Sequence, residues 1–350
     1  MQRRVFLKSA LLFGTAALEQ SAWGRETEKT AFPPVDHEVT VTGMGEVSSG
    51  NHLTACLADQ CVWFRWKNRP LVGYNAHVTR QSPGLVPVNG PKTGFPLTSE
   101  INTPWQHHRS MLLACDRLTS NRFLTGNRTR GRIDSGNPWK GTFRQGKILS
   151  RELKLGECTG NSATLNDFCL WQKEGEVPIL EDNRRFTVTI FSDDLYWVDC
   201  SFELTPLLDI VIRPTNHSFF AIRTAHDLSP NGGGTLINSR GDEKMTSTFG
   251  KPASWCNCFG KRSIPGEIHE MTEITEGIAL FCAPEPFRDC PWFTRDYGFF
   301  SPTPFHFLKT PWIREQGNTL CLNYRVVAYA GHPADAKLNS LWKNFVEQLS

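Results

Sequence analysis

The densest group of side chains able to do chemistry is Trp105-Gln106-His107-His108-Arg109-Ser110, which runs into the apolar Met111-Leu112-Leu113-Ala114. Histidine exchanges protons near neutral pH and is the commonest metal ligand. Adjacent histidines invite a metal reading. On a strand, however, His107 and His108 project to opposite faces and cannot chelate one ion together. That geometry puts His107 with Arg109 on one face and His108 with Ser110 on the other. The segment therefore predicts no metal and no cofactor. His107 and His108 are candidate acid–base groups, and Arg109 a candidate clamp for an anion or a sugar hydroxyl.

Two further clusters are candidates for substrate binding. Arg223-Thr224-Ala225-His226-Asp227 follows the apolar Phe219–Ile222, with Asn238-Ser239-Arg240-Gly241-Asp242-Glu243 beyond it. Arg223, His226 and Asn238 are the binding candidates there, against the plainer reading of a solvated strand end. In Pro291-Trp292-Phe293-Thr294-Arg295-Asp296-Tyr297-Gly298, Arg295 and Tyr297 share a face if the chain is extended. Aromatic surfaces beside Arg and Asp suit stacking on a sugar ring with hydrogen bonds to its edge. A carboxylate partner could come from Glu181, Glu203, Asp227, Asp242 or Asp296, and the separation of two such groups would decide a glycosidase mechanism.

Several motifs are absent. Cys256-Asn257-Cys258 has one spacer residue, not the spacing of zinc knuckles. Asn231-Gly232-Gly233-Gly234 is not a dinucleotide fingerprint. No Gly-x-Ser-x-Gly marks a hydrolase elbow.

The elements that must position these residues read as strands. In Tyr196–Thr205, Tyr196, Val198, Cys200, Phe202 and Leu204 alternate with Trp197, Asp199, Ser201, Glu203 and Thr205, the pattern of a half-buried strand. Phe186–Phe191, Asp209–Arg213, Gly277–Cys282 and Leu320–Ala328 repeat it, with turn residues between them. Strands without intervening helices give antiparallel sheets, and at this length two stacked sheets are expected. Leu338, Leu341, Trp342, Phe345 and Leu349 recur at helical spacing and predict a C-terminal amphipathic helix, with Pro333 in its first turn, docked on the sheets. The stretch Arg80–Pro104, with five prolines, is too long for a plain connection and is expected to cover a site.

The amino terminus, Met1-Gln2-Arg3-Arg4-Val5-Phe6-Leu7-Lys8, has the twin-arginine export pattern. The apolar Ala10–Leu18 is shorter than the roughly 20 residues of a membrane span, and Ser21-Ala22-Trp23-Gly24 suits cleavage after Gly24. Residues 1–24 are thus expected to be a signal peptide and 25–350 a single β-sandwich domain, periplasmic or secreted, with no membrane span. The 350-residue chain carries a net charge of +3, 39% hydrophobic and 21% charged residues, ordinary globular values that leave nucleic acid without a basic surface. Arg128-Thr129-Arg130-Gly131-Arg132 reads as a solvated loop. Of 11 cysteines, several lie in strand-like runs, where most are expected to be buried thiols.

Between Arg69 and Phe345 the chain resembles a family of uncharacterised bacterial proteins known as "methane oxygenase PmoA". The residues that carry the likeness are His107-His108-Arg109-Ser110, Glu181 to Arg184, Arg223 with Asn238 and Gly241, Trp255, Trp292-x-x-Arg295-x-Tyr297-Gly298, Pro304-Phe305 and Tyr324-Arg325-Val326. The resemblance implies a β-sandwich of the sugar-mutarotase-like supersandwich kind. It adds Arg184 and Trp255 to the binding candidates and Glu181 to the catalytic ones. A copper histidine-brace oxidase would need histidine as the first mature residue, whereas the expected cut leaves Arg25. Three readings follow: a carbohydrate-active enzyme (hydrolase, lyase or epimerase) using His107, His108 and Glu181 on a sugar or glycan; a non-catalytic glycan-binding protein; and a metal-dependent oxidase.

Overall fold

The alternating segments form strands with the expected faces inward. In Leu195–Pro206, Tyr196, Val198, Cys200, Phe202 and Leu204 are all buried, while Glu203 is exposed. The computed structural model describes residues 52–100, 105, 107–120, 146–173, 177–265 and 271–349. All of them fall in one compact unit. The expected signal peptide, the mature terminus at Arg25 and the Arg128–Arg132 loop lie outside the described residues.

In chain order the strands are β1 (Leu53–Ala58), β2 (Cys61–Trp66), β3 (Arg69–Asn75), β4 (Gly84–Val88), β5 (Met111–Cys115) and β6 (Leu118–Ser120). They continue with β7 (Gly146–Cys158), β8 (Ser162–Lys173), β9 (Leu180–Ser192), β10 (Leu195–Pro206), β11 (Ile210–Ile212), β12 (Ser218–Arg223) and β13 (Thr235–Asn238). A short helix, α1 (Lys244–Thr248), precedes β14 (Trp255–Pro265), β15 (Met271–Cys282), β16 (Trp292–Arg295), β17 (Phe299–Pro302), β18 (Trp312–Arg314) and β19 (Leu320–Ala330). The chain is all-β: two eight-stranded antiparallel sheets, ordered β1-β2-β3-β4-β5-β12-β17-β16 and β13-β14-β15-β19-β10-β9-β8-β7, with a three-stranded sheet β18-β11-β6.

Aromatic contacts join the two large sheets. Phe220 of β12 packs 5.2 Å, ring to ring, from both Phe202 of β10 and Tyr324 of β19. Tyr74 of β3 lies 5.1 Å from Phe186 of β9. Each such fully buried ring contributes roughly 1.5–3 kcal/mol relative to exposure. All 11 cysteines are thiols in the structure. Cys56, Cys115, Cys169, Cys200, Cys256, Cys258 and Cys290 are buried.

The C-terminal helix, α2 (Leu338–Leu349), docks on the outer face of the second sheet against Ala279, Phe281, Val327 and Tyr329. It starts later than the sequence predicts. Lys337 has φ 49°, a conformation outside the helix, so Pro333 lies in the preceding turn and not in the first helical turn.

Arg80–Pro104 also differs from expectation, because it is not all loop. It contains β4, and beyond β4 it wraps a buried carboxylate. Glu276 accepts from Lys92 N–H (2.9 Å), Thr93 N–H (3.0 Å) and the Thr93 hydroxyl (2.6 Å). A Cβ at Gly90 would collide with that carboxylate, which is why glycine stands there. No helix among the described residues is long and apolar enough to cross a membrane.

Candidate active site

The site is built on the outer face of the first sheet. On β12, Phe220 and Ile222 face the core, so Phe219, Ala221 and Arg223 face outward. Register extends this face: Arg223 pairs with Phe299 of β17, and Phe299 pairs with Arg295 of β16. One row across three strands thus reads Arg–Phe–Arg. Next to it, Phe219 pairs with Ala114 of β5, and Ala221 with Leu112. The small side chains of Ala114 and Ala221 leave a hollow of about 330 Å³, its open mouth included. His107, His108, Asp116, His217, Phe219 and Phe299 line it.

His107 and His108 do not lie on a strand, which overturns the opposite-face geometry. The strand starts at Met111, after Ser110 at φ 43°. Ser110 is pinned: its hydroxyl donates to Leu85 C=O (2.6 Å) and its N–H to Ser99 C=O (2.8 Å). The bent approach brings both imidazoles to one place, their centroids 4.2 Å apart and the rings nearly perpendicular at 70°.

A third imidazole, which sequence reasoning missed, completes the group. His217 precedes β12, and its N–H donates to Thr215 Oγ1 (3.1 Å). Its centroid is 5.2 Å from that of His107 and 5.4 Å from that of His108. Nε2 of His217 and Nε2 of His108 are 3.3 Å apart. One nitrogen from each of the three histidines lies within 4.8 Å of the others, so the set could hold a metal ion. Behind His217, the Asp116 carboxylate is 3.7 Å from Nδ1, and Thr215 Oγ1 donates to its other oxygen.

The surroundings are aromatic and cationic. His108 stacks on Phe299 at 3.8 Å between centroids, with Nδ1 3.3 Å from Tyr297 Oη. The Arg223 guanidinium lies 4.5 Å over the Tyr297 ring. Arg295 lies between Phe293 (4.0 Å) and Phe249 (4.9 Å). Burial, then the His217 and Asp116 charges acting in opposite senses, leaves His107 with its pKa pushed down to about 4. Burial, reinforced by His107, His217, Arg223 and Arg295, pushes His108 far below the usual histidine range. Both rings are therefore neutral near pH 7. Burial pushes the Tyr297 phenol up to about 12 despite Arg295 and Arg223, so it remains a hydroxyl. Both ring nitrogens of His107 are buried without a hydrogen-bond partner.

The structure gathers His107, His108, Arg223, Arg295 and Tyr297 from the sequence candidates, and leaves Arg109 exposed beside them. The remaining candidates are elsewhere. Arg184 is buried between the sheets, donating to Asp182 (2.8 and 2.6 Å) and to Pro83 C=O (3.0 Å). Glu181 alternates with that inward set and lies on the opposite, outer face of β9 with Asn183 and Arg185. Asn238 closes its own turn, accepting from Arg240 N–H and Asp242 N–H. Trp255 donates to Asn339 of α2 (3.0 Å), which fastens the helix. His226 is exposed in a short 3₁₀ turn. His217 and Asp116 carried no motif. The available signal was only a histidine and an aspartate each at the end of a strand-like run.

No curated protein matches the chain in sequence. Among solved structures it is similar to a GalM/aldose epimerase homologue from C. elegans, with a TM-score of 0.30 and 10% identity over 81% of this chain and 96% of that one. A model for a family of unknown function, DUF6807, matches residues 61–343, and the chain belongs to that family.

Proposed function

We propose that the chain is an exported carbohydrate-active enzyme whose reaction takes place in the hollow over β5, β12 and β17. One observation carries this reading: three imidazoles and a carboxylate converge beside aromatic and guanidinium faces, and His107 keeps two buried nitrogens without partners. Leaving a buried polar atom unpaired costs about 1–3 kcal/mol. A site shaped for a ligand recovers that cost when the ligand arrives. Neutral imidazole is the form that takes up a proton. Asp116, behind His217, is placed to stabilise the imidazolium that results. Asp116 thereby fills the role expected of Glu181. Among the described residues the hollow has no second carboxylate, so two-carboxylate glycoside hydrolysis fits it less well than removal and return of a proton, as in an epimerase or lyase. Tyr297, Phe299 and Arg223 suit a sugar's apolar face and its hydroxyls. The twin-arginine start supports a periplasmic or secreted enzyme.

The test is a panel of neutral and acidic sugars incubated with the purified protein in D₂O and followed by NMR. We expect deuterium exchange or product on one sugar class, reduced by about 10²–10⁴-fold in His217→Ala. Binding by calorimetry without turnover would leave a glycan-binding protein instead. A panel with neither binding nor turnover overturns the proposal. A second reading, the metal-dependent oxidase that the PmoA name implies, is favoured by the three converging imidazoles. Sugar-dependent oxygen uptake would select it.

A further inference from the structure

We propose that His107, His108 and His217 form the binding site for one divalent transition-metal ion of the zinc class. Imidazole nitrogens suit zinc and its late first-row neighbours. At a metal–nitrogen distance of about 2.0–2.1 Å, two ligands of a tetrahedral ion are about 3.3 Å apart. The Nε2 atoms of His108 and His217 are separated by 3.3 Å. His107 adds a third donor within 4.8 Å of both. Three protein ligands leave a fourth position for water or a substrate oxygen, the arrangement of catalytic sites.

The outer contacts support ligation. Metal-bound histidines commonly direct their other ring nitrogen at an oxygen that fixes the tautomer. His217 Nδ1 faces Asp116, and His108 Nδ1 faces Tyr297 Oη. With both Nδ1 atoms protonated, the two Nε2 lone pairs are 3.3 Å apart and can converge on one ion beside the line that joins them. The competing arrangement has one Nε2–H donating to the other ring. It accounts for that pair and leaves both nitrogens of His107 buried and unbonded. A single ion answers all three rings.

The inference uses the hollow of the proposed function and changes its chemistry. With the ion bound the imidazoles are ligands, and water or a substrate hydroxyl on the open position becomes the acidic group. It does not depend on the carbohydrate, because uptake is measured without sugar.

The full chain, stripped with a chelator and dialysed, is titrated with Co²⁺ and with Zn²⁺. We expect one ion per chain, visible cobalt bands of four-coordinate type, displacement by zinc, and a raised melting temperature. His107→Ala and His217→Ala should lose the bands and the stoichiometric ion. His332→Ala, an exposed histidine outside the hollow, should keep both. His217→Gln and circular dichroism guard against a variant that fails to fold. Folded wild-type protein that takes up no ion, or uptake that survives loss of two of the three histidines, overturns the inference. Metal binding without sugar turnover would sink the proposed function alone, and sugar turnover by folded protein that takes up no ion would sink the metal site alone.

Discussion

At the scale of residues, the chemistry of this chain depends on side chains that only the fold makes neighbours. His107 and His108 were legible as reactive because they are adjacent and polar, yet the strand assumption sent them to opposite faces. The turn at Ser110 (φ 43°), pinned by two hydrogen bonds of 2.6 and 2.8 Å, puts them together. His217 lies 109 residues from His108 and had no sequence signal linking it to the pair. Asp116 is the residue whose role is easiest to isolate, since its carboxylate lies 3.7 Å from Nδ1 of His217. Replacing Asp116 with Asn keeps the shape and removes the charge behind Nδ1. We expect cobalt affinity to fall about 10–100-fold, the usual cost of losing an outer partner of a ligating histidine. Titration of D116N against wild type reads this directly. Unchanged affinity would mean that Asp116 serves only the Thr215 turn.

At the scale of elements, β9, β10, β15, β19 and α2 follow from their sequence periods, because burial on one face is a local pattern. The positions of loops do not follow, because they depend on partners distant in sequence. Arg80–Pro104 reads as loop, yet Glu276 gathers it into a buried wrap with Lys92 and Thr93. Arg184 and Glu181 illustrate the same limit: neighbours in one strand, they are sent by alternation to the core and to the outer face. The β16–β17 turn carries Tyr297 and is shaped by Gly298 at φ +87°, where a Cβ would strike the Thr224 hydroxyl. Gly298→Ala is expected to destabilise the fold by about 1–3 kcal/mol, the usual cost of a strained backbone position, and to move Tyr297 off His108. Urea unfolding measures the first and the NMR shifts of His108 the second. A variant as stable as wild type would show that the turn relaxes freely. On the second sheet, Phe345 is the anchor of α2, 2% exposed and 6.4 Å from the Phe281 ring. Phe345→Ala should cost about 3–5 kcal/mol, as buried Phe→Ala changes do. Loss of only a few tenths would mean that the helix hardly stabilises the sandwich.

At the scale of the whole molecule, the stacked sheets were legible from composition and alternation, but the polar interior between them was not. Alternation assigns a residue to the inward face without saying what it meets there. Asp167 of β8 is 1% exposed. It accepts from Tyr74 Oη of the opposite sheet (2.5 Å) and from Ser150 Oγ (2.6 Å). Burial pushes its carboxyl up to about 6, against the opposing pull of Arg184 and these hydrogen bonds. The folded chain therefore holds this proton more tightly than the unfolded chain, whose aspartates titrate near 4. The stability that Asp167 contributes is full below about pH 4 and is lost as pH rises through about 6. Two pH units of difference correspond to about 3 kcal/mol between pH 4 and pH 7. Asn at this position is neutral throughout and can still bond both hydroxyls. The unfolding free energy of Asp167→Asn, relative to wild type, should thus rise by up to about 3 kcal/mol from pH 4 to pH 7. Other titrating groups cancel in that difference, so urea midpoints of the two proteins across the range isolate the one carboxyl. A difference that falls with pH would mean that Arg184 keeps Asp167 ionised, and that the inter-sheet network is an ion pair instead of a neutral bridge.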